Sequence, residues 1–268
     1  MTRNDYNTGD RSSAMVDANF TVEEGIARIE LDRPEALNAV EMPTKRAIIE
    51  RVRSYENDDD VRVVVFRSAG DAFCAGGDLQ EVLDHDFALE PFTDSWEELF
   101  EAMMNLGKPT VARIDGYTLG GGFDLMLHTD IPIAAADAQL GQPEVGLGIV
   151  NHFSPPMLQE KVGLTKTLDM MLTGEMISGE EAARLGLVAR SVPPEELDEE
   201  VDAVAESLAA KSPRVLRKLK NGIYATAEMS PRAGRSYLEA VALDAARNDP
   251  DYREGVEAQL EDRESEWK

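Results

Sequence analysis

Cysteine, lysine and long apolar runs are all scarce in this chain of 268 residues. With Cys74 as its one cysteine, the chain cannot form an intrachain disulfide, which fits a reducing cytoplasm. No run of about 18 apolar residues occurs, so we expect no transmembrane helix. The first residues lack the apolar segment of a signal peptide and predict a flexible polar tail over residues 1–17. We therefore expect a cytoplasmic protein.

Basic residues are also few. The sequence has 27 Lys and Arg against 52 Asp and Glu, which gives a net charge of −25. So negative a surface argues against nucleic acid or an anionic membrane as a partner. Many acids with few lysines favour a halophilic protein, because in molar salt a Debye length of roughly 3 Å screens the repulsion. An acidic protein from an ordinary cytoplasm is the alternative.

Strand and helix patterns alternate in the first half of the chain. Residues 18–31 predict a hairpin that turns at Glu24 and Gly25, and residues 43–56 predict a helix that begins at Pro43. "VRVVVFRS" has the β-branched composition of a fully buried strand. "PTVARIDG" and "IPIAAA" predict two shorter strands, and "FDLMLH" between them predicts a helix.

Helical patterns dominate the second half, over residues 178–188, 195–211, 212–226 and 231–262. In the second of these, apolar residues recur at the spacing of one helix face, which must pack on its own core or on another subunit. The sequence therefore predicts the α/β class, with a core over residues 18–195 and a helical oligomerisation region over residues 196–268.

Two glycine turns stand between a predicted strand and a predicted helix. "DGYTLGGGFDL" places Gly121 where an unobstructed helix N-terminus would bind an anion or an oxygen that becomes negative during reaction. "FCAGGDL" places Gly77 before a short helix that Asp78 is expected to cap. Neither turn has the pattern of a phosphate loop. Two backbone N–H groups of this kind are the parts of an oxyanion hole, although two ordinary glycine turns remain an equally good interpretation.

These two blocks, with "RPEALNAV", "AQLGQPEVGLG" and "LTGEMISGEEAARLGLVARSVP", resemble the enoyl-CoA hydratase/isomerase (crotonase) superfamily in order and spacing. The resemblance covers about residues 18–262. It implies a crotonase-like spiral of ββα turns, followed by a helical trimerisation region whose trimers often pair into hexamers. It also implies a coenzyme A thioester as substrate, with no metal and no cofactor beyond that coenzyme A.

The resemblance also implies roles for particular residues. Gly77 and Gly121 would form the oxyanion hole that holds the thioester oxygen. Glu144 would be one catalytic acid, and Asp124 occupies the other position, where the family usually has glutamate. Two acids beside one apolar pocket should raise one of the two pKa values. The positions implied for coenzyme A and substrate are Arg33, Ala36, Leu37, Ala75, Asp78 and Leu79.

Three departures from the family pattern bear on the substrate. His152 stands where one isomerase branch of the family has a further carboxylate, so it could assist proton transfer or merely shape its loop. "GIVNHFSPPML" replaces a glycine-rich stretch of the family that lines the acyl pocket. Glu35 and Gln80 replace basic residues, which predicts weaker coenzyme A binding in dilute buffer. Cys74 has no paired histidine in its block, so we expect it to serve packing.

The leading hypothesis is an enzyme that reversibly hydrates a 2-enoyl-CoA through an enolate-type intermediate, with Glu144 as the main acid and base and Asp124 orienting or activating the water. The alternative reaction is double-bond isomerisation of an enoyl-CoA or dienoyl-CoA. An alternative of another class is a non-catalytic protein that binds acyl-CoA.

Overall fold

A computed structural model describes residues 16–84 and 90–267 of the chain. Residues 1–15 of the predicted polar tail lie outside these ranges. In chain order, the strands are β1 Ala18–Glu23, β2 Ile26–Leu31, β3 Val63–Ser68, β4 Ala72–Cys74, β5 Thr110–Ile114, β6 Tyr117–Leu119, β7 Ile131–Ala135, β8 Gln139–Gly141, β9 Ile177–Ser178 and β10 Arg190–Val192.

The helices are α1 Met42–Glu56, α2 Leu79–Asp84, α3 Glu90–Asn105, α4 Gly121–Leu127, α5 Ser154–Thr173, α6 Gly179–Leu185, α7 Leu197–Ala209, α8 Pro213–Thr226, α9 Pro231–Asn248 and α10 Pro250–Leu260. Short 3-10 helices occur at Pro34–Ala36, Pro143–Leu147 and Pro194–Glu196. Within the part of the chain that is described, no helix has both the length and the apolar character needed to cross a bilayer.

The strands form two sheets that the chain visits in turn. A six-stranded sheet has the order β1-β2-β3-β5-β7-β10, and a four-stranded sheet has the order β4-β6-β8-β9. The chain passes from β3 to β4, from β5 to β6 and from β7 to β8, and each strand pairs in parallel with its counterpart in the next turn. Successive strand pairs therefore stack as a spiral, with α4 closing the turn that contains β5 and β6. The predicted α/β spiral is confirmed.

The core lies around the six-stranded sheet. In β3, Val63, Val64, Val65 and Phe66 are at most 2% exposed, as expected for a strand that is covered on both faces. Helix α7 packs against β3, β5 and β7 through Leu197, which is fully buried, and its neighbours on the same face. The apolar stripe predicted for this helix therefore covers the protein's own sheet.

The C-terminal helices differ from the prediction at one point. A single helix over residues 231–262 was expected, and this is wrong, because α9 ends at Asn248 and α10 begins at Pro250. Pro250 has no N–H to continue a helix, and the Asp249 side chain accepts a hydrogen bond from the Asp251 amide to begin the next one.

Candidate active site

Three loops meet at one edge of the four-stranded sheet. Strands β4, β6 and β8 are parallel neighbours, so the loops that follow their carboxyl ends lie side by side. These loops carry Gly77, Gly121 and Glu144. They surround a cavity of about 150 Å³ whose wall is mainly apolar, formed by Leu79, Phe92, Trp96, Leu119, Leu147, Ile149, Val150 and Phe153 together with the residues discussed below.

The two glycine turns abut each other in this cavity. Gly76 has a φ of +102°, and a Cβ at that position would lie 2.9 Å from the Gly121 amide nitrogen. Gly77 and Gly121 both line the cavity. Among the described residues, neither the Gly77 nor the Gly121 amide donates a hydrogen bond to a protein acceptor. Both N–H groups are therefore available to a ligand.

The run of glycines at residues 120–122 has three separate causes. Gly120 has a φ of +54°, which favours glycine. A Cβ at Gly121 would lie 2.6 Å from Cζ2 of Trp96, and one at Gly122 would lie 2.2 Å from the backbone oxygen of Cys74. A side chain at Gly121 would therefore meet the Trp96 ring first.

Asp124 is a buried carboxylate held by three side chains. It is 1% exposed and follows Gly121 by one turn of α4. Its Oδ1 accepts from Gln142 Nε2 at 2.9 Å and from Ser154 Oγ, and its Oδ2 accepts from Asn151 Nδ2 at 2.9 Å. Burial raises the pKa of Asp124 to about 7; the hydrogen bonds oppose this shift and the nearby Glu144 adds to it.

Glu144 lies in the 3-10 helix that follows β8 and lines the same cavity. Its Oε1 accepts from Asn151 Nδ2 at 3.1 Å. Its Oε2 is buried and has no hydrogen-bond partner among the described residues. One oxygen of this carboxylate is therefore anchored, and the other is free to accept or donate a proton.

The residues predicted to bind coenzyme A come together on two contacting loops. The Ala75 amide donates to the Leu37 carbonyl at 2.9 Å, and buried Asn38 donates to the Ala69 and Ala72 carbonyls. Leu37 and Leu79 are exposed, at 43% and 51%. The Asp78 side chain accepts from the Gln80 amide at 2.7 Å, as expected of a helix cap. Ala36 lies in the same loop as Leu37.

Arg33 is engaged within the protein. Its guanidinium lies 2.6 Å from Asp78, 3.0 Å from Glu41 and 3.7 Å from Asp17. The hydrogen bond from Arg33 holds the pKa of Asp78 below its ordinary value, against the opposing effect of burial. Three carboxylates already balance this guanidinium, so little of its charge is available to a phosphate.

His152 and Cys74 differ in their access to the cavity. The His152 ring lies at the cavity rim, is exposed and packs on Phe153 with centroids 4.0 Å apart. No hydrogen bond joins this ring to either carboxylate in the described ranges. Cys74 is fully buried, and burial raises its pKa to about 12, so the thiol is not a nucleophile.

Two groups of residues at the site were not predicted from the sequence. These are the polar side chains that hold the two acids and the aromatic side chains that form the cavity wall. Asn151, Gln142 and Ser154 surround Asp124, and Phe92 and Trp96 pack against the two glycine turns. The prolines that follow Ser154 are typical of a helix start, but Asn151 lies three residues before Ser154 and outside α5. No local pattern indicated that the same side chain reaches two carboxylates.

Comparisons with known proteins agree with this geometry. The family model described as enoyl-CoA hydratase/isomerase matches residues 21–268. A probable enoyl-CoA hydratase of Mycobacterium tuberculosis is 33% identical over 236 residues, which are 88% of this chain and 91% of the relative. A carnitinyl-CoA dehydratase of Salmonella arizonae is 36% identical over 253 residues, with coverage of 91% and 95%. The crystal structure of an enoyl-CoA hydratase of Mycobacterium smegmatis superposes with a TM-score of 0.86 at 28% identity, covering 94% of this chain and 98% of that one.

Proposed function

The chain belongs to the enoyl-CoA hydratase/isomerase family, and from that membership we propose that it catalyses the reversible addition of water to a 2-enoyl-CoA. One observation carries the proposal. Two backbone amides, at Gly77 and Gly121, have no acceptor among the described residues and line the same apolar cavity as the carboxylates of Asp124 and Glu144. Such a cavity offers donors for a developing oxyanion and acids for proton transfer within reach of one substrate.

In the proposed reaction, the thioester oxygen accepts hydrogen bonds from the Gly77 and Gly121 amides. Glu144 removes a proton from water as the water oxygen bonds to C3 of the enoyl group. The π electrons move to the thioester oxygen, which becomes the enolate oxygen that the two amides stabilise. The enolate then collapses and C2 takes up the proton, returned by Glu144. Because the negative charge exists only near the transition state, the amides accelerate the reaction rather than merely binding substrate.

The two carboxylates divide the work according to their surroundings. Glu144 keeps an oxygen, Oε2, that no group in the described part of the chain binds, as a proton carrier needs. Asp124 has both oxygens occupied by neighbouring donors, which suits a group that orients the water. The reaction balances with water alone, so we propose no cofactor beyond the coenzyme A of the substrate, which the loops around Ala36, Ala75 and Leu79 would hold. A buried, reduced Cys74 fits the cytoplasm as the place of action.

We further propose that the protein works as a homotrimer and that two trimers pair into a hexamer. Two helices expose apolar residues at the spacing of one helix face, on α5 at Leu164, Leu168 and Leu172, and on α8 at Val215, Leu219 and Ile223. Tyr224 and Lys220 bind Asp130 and tie α8 to the rest of the protein. A fixed helix with an uncovered apolar stripe favours association of copies.

Leu168→Glu should therefore break the assembly, because it would place a charge within the apolar contact. Light scattering should give the mass of several chains for the unchanged protein and of one chain for the variant. Val22→Glu is the matched control, since Val22 is similarly exposed but lies on β1 away from both stripes. If Leu168→Glu keeps the full mass, the contact lies elsewhere.

An assay with a short 2-enoyl-CoA tests the proposed reaction, in dilute buffer and in molar salt. We expect loss of the conjugated absorbance together with a product that has gained the mass of one water. A product whose double bond has shifted without a gain in mass would instead assign isomerase activity. Tight binding without turnover across a panel of acyl-CoA thioesters would assign a binding protein.

A further inference from the structure

Asn151 lies between the two carboxylates of the cavity. Its Nδ2 is 2.9 Å from Asp124 Oδ2, 3.1 Å from Glu144 Oε1 and 3.2 Å from Gln142 Oε1. An amide nitrogen carries two hydrogens, so it makes at most two full hydrogen bonds. The two nearest acceptors are the two carboxylates. One side chain therefore gives one N–H to each acid.

The orientation of the Asn151 amide is fixed by its other end. Its Oδ1 accepts from the Phe153 amide at 2.9 Å and from the Ser154 amide at 3.1 Å. Backbone N–H groups only donate, so they must face the amide oxygen. The nitrogen is thereby directed at the acids. Asn151 thus accepts from the two amides that lead into α5 with its oxygen and reaches the acids with its nitrogen.

We propose that Asn151 is a positioning residue for the proposed hydration: its amide joins Asp124 to Glu144 and holds both carboxylates in one fixed geometry. This deepens the proposed function and rests on it. The side chain of Asp124 is shorter than the usual glutamate, and Gln142 and Ser154 reach its Oδ1 from buried positions. The amide completes this arrangement by linking the fixed acid to the one with a free oxygen.

The bridge also opposes the mutual repulsion of the two acids. Glu144 is the charged group that acts on Asp124 and raises its pKa, and the hydrogen bond from Asn151 lowers that pKa. His128, the residue after α4, binds the Asp124 backbone oxygen through Nδ1, and burial lowers the pKa of its ring. An N–H that donates to a carboxylate favours its ionised form. Removal of the bridge should therefore raise the pKa of Asp124 above its value of about 7.

Two substitutions separate the bridge from the helix cap. Serine and aspartate both cap helices well, so Asn151→Ser and Asn151→Asp keep an oxygen for the Phe153 and Ser154 amides. Serine is too short to reach both acids, and aspartate has no N–H to donate. We expect both variants to fold, with a lower melting temperature for Asn151→Asp because it adds a carboxylate beside two others. For Asn151→Ser, kcat should fall by about tenfold to 100-fold, as for loss of a hydrogen bond to a charged group, with little change in KM.

The pH profile distinguishes the bridge from a purely structural role. Because the water-orienting Asp124 must be ionised, kcat of the unchanged protein should decline below about pH 7. In Asn151→Ser, the pH below which kcat declines should rise by about one unit. In Asn151→Asp, this pH should rise further, because a third carboxylate joins the pair. Asn19→Ser is the control, since Asn19 donates to Asp32 at 2.9 Å on an exposed strand. This variant should leave kcat and its pH dependence unchanged.

The outcomes decide between the two roles. The proposal is overturned if Asn151→Ser has the same kcat as the unchanged protein, with the same pH below which kcat declines. In that case Asn151 serves only to bind the Phe153 and Ser154 amides. If the unchanged protein turns over no enoyl-CoA, the proposed function fails, and a titration of the Asp124 carboxyl carbon by NMR still tests the bridge. A higher Asp124 pKa in Asn151→Ser than in the unchanged protein supports the bridge, and an equal pKa overturns it.

Discussion

Glu144→Gln should lower kcat by roughly 10²–10⁴-fold, the range of a general acid or base, while KM for the enoyl-CoA changes little. Glutamine keeps the size of the side chain and an oxygen for the 3.1 Å hydrogen bond from Asn151. It cannot take a proton from water. The variant thus removes proton transfer and leaves the cavity and the oxyanion donors in place.

The same substitution, Glu144→Gln, also has an expected result for stability. The Oε2 atom of Glu144 is buried and has no partner within residues 16–84 and 90–267, and a neutral amide costs less to bury than a carboxylate. The melting temperature of Glu144→Gln should therefore stay the same or rise. A loss of activity without a loss of stability points to chemistry rather than to folding.

Glu50→Gln provides the control for this experiment. Glu50 is an exposed residue of α1, far along the chain from the cavity loops, and the substitution removes the same charge. Its kcat should equal that of the unchanged protein. If Glu144→Gln also keeps full activity, proton transfer belongs to another group, and Asp124 becomes the first candidate.

The parts of the fold that could be predicted from the sequence are those that carry a long local signal. In β3 and α7, apolar residues recur over several positions of one segment. This pattern can be recognised without knowledge of the residues that pack against it. Strands β4, β6 and β8 have three residues each, too few for an alternation to show. Their existence depends on pairing with one another across the spiral, which no short window contains.

The two long helices that were missed have different explanations. In α3, buried Trp96, Leu99, Phe100 and Met103 recur at helical spacing, so the signal was present in the sequence. In α5, Gly163 has a φ of +77° in the middle of the segment, and the helical geometry is interrupted there. Gly163 thus interrupts the local helical pattern, so the sequence did not predict α5.

The site divides along the same line. The residues that the family resemblance indicated, Gly77, Gly121, Asp124 and Glu144, follow strand ends within short blocks, and all four line one cavity. Asn151 was not predicted because its role depends on contacts with residues 27 and seven positions away. Trp96 likewise contacts Gly121 only through the packing of α3 on the glycine turns. The resemblance could indicate residues within short blocks of sequence, whereas the contacts of Asn151 and Trp96 depend on the fold.

The second large effect concerns the oxyanion hole. Gly121→Ala should lower kcat/KM by about 100-fold, as expected when a catalytic group moves by about 1 Å. The new Cβ would lie 2.6 Å from Cζ2 of Trp96, too close for the two to coexist. Trp96 is 2% exposed, stacks on Phe100 and has the Lys45 ammonium 5.0 Å from its ring, so it cannot easily withdraw. The first turn of α4, with the Gly121 amide, must move instead.

Steady-state kinetics with the same enoyl-CoA measures this effect, and two further variants identify its cause. Gly146→Ala is the control, because a Cβ at Gly146 meets nothing within 4 Å, and its kcat/KM should be unchanged. Trp96→Phe in the Gly121→Ala background makes room for the methyl group, so part of the lost activity should return even though Trp96→Phe alone is expected to lower activity. Such a coupling between the two sites is the sign of direct contact. Full activity in Gly121→Ala would contradict the proposal that a fixed amide at residue 121 holds the thioester oxygen.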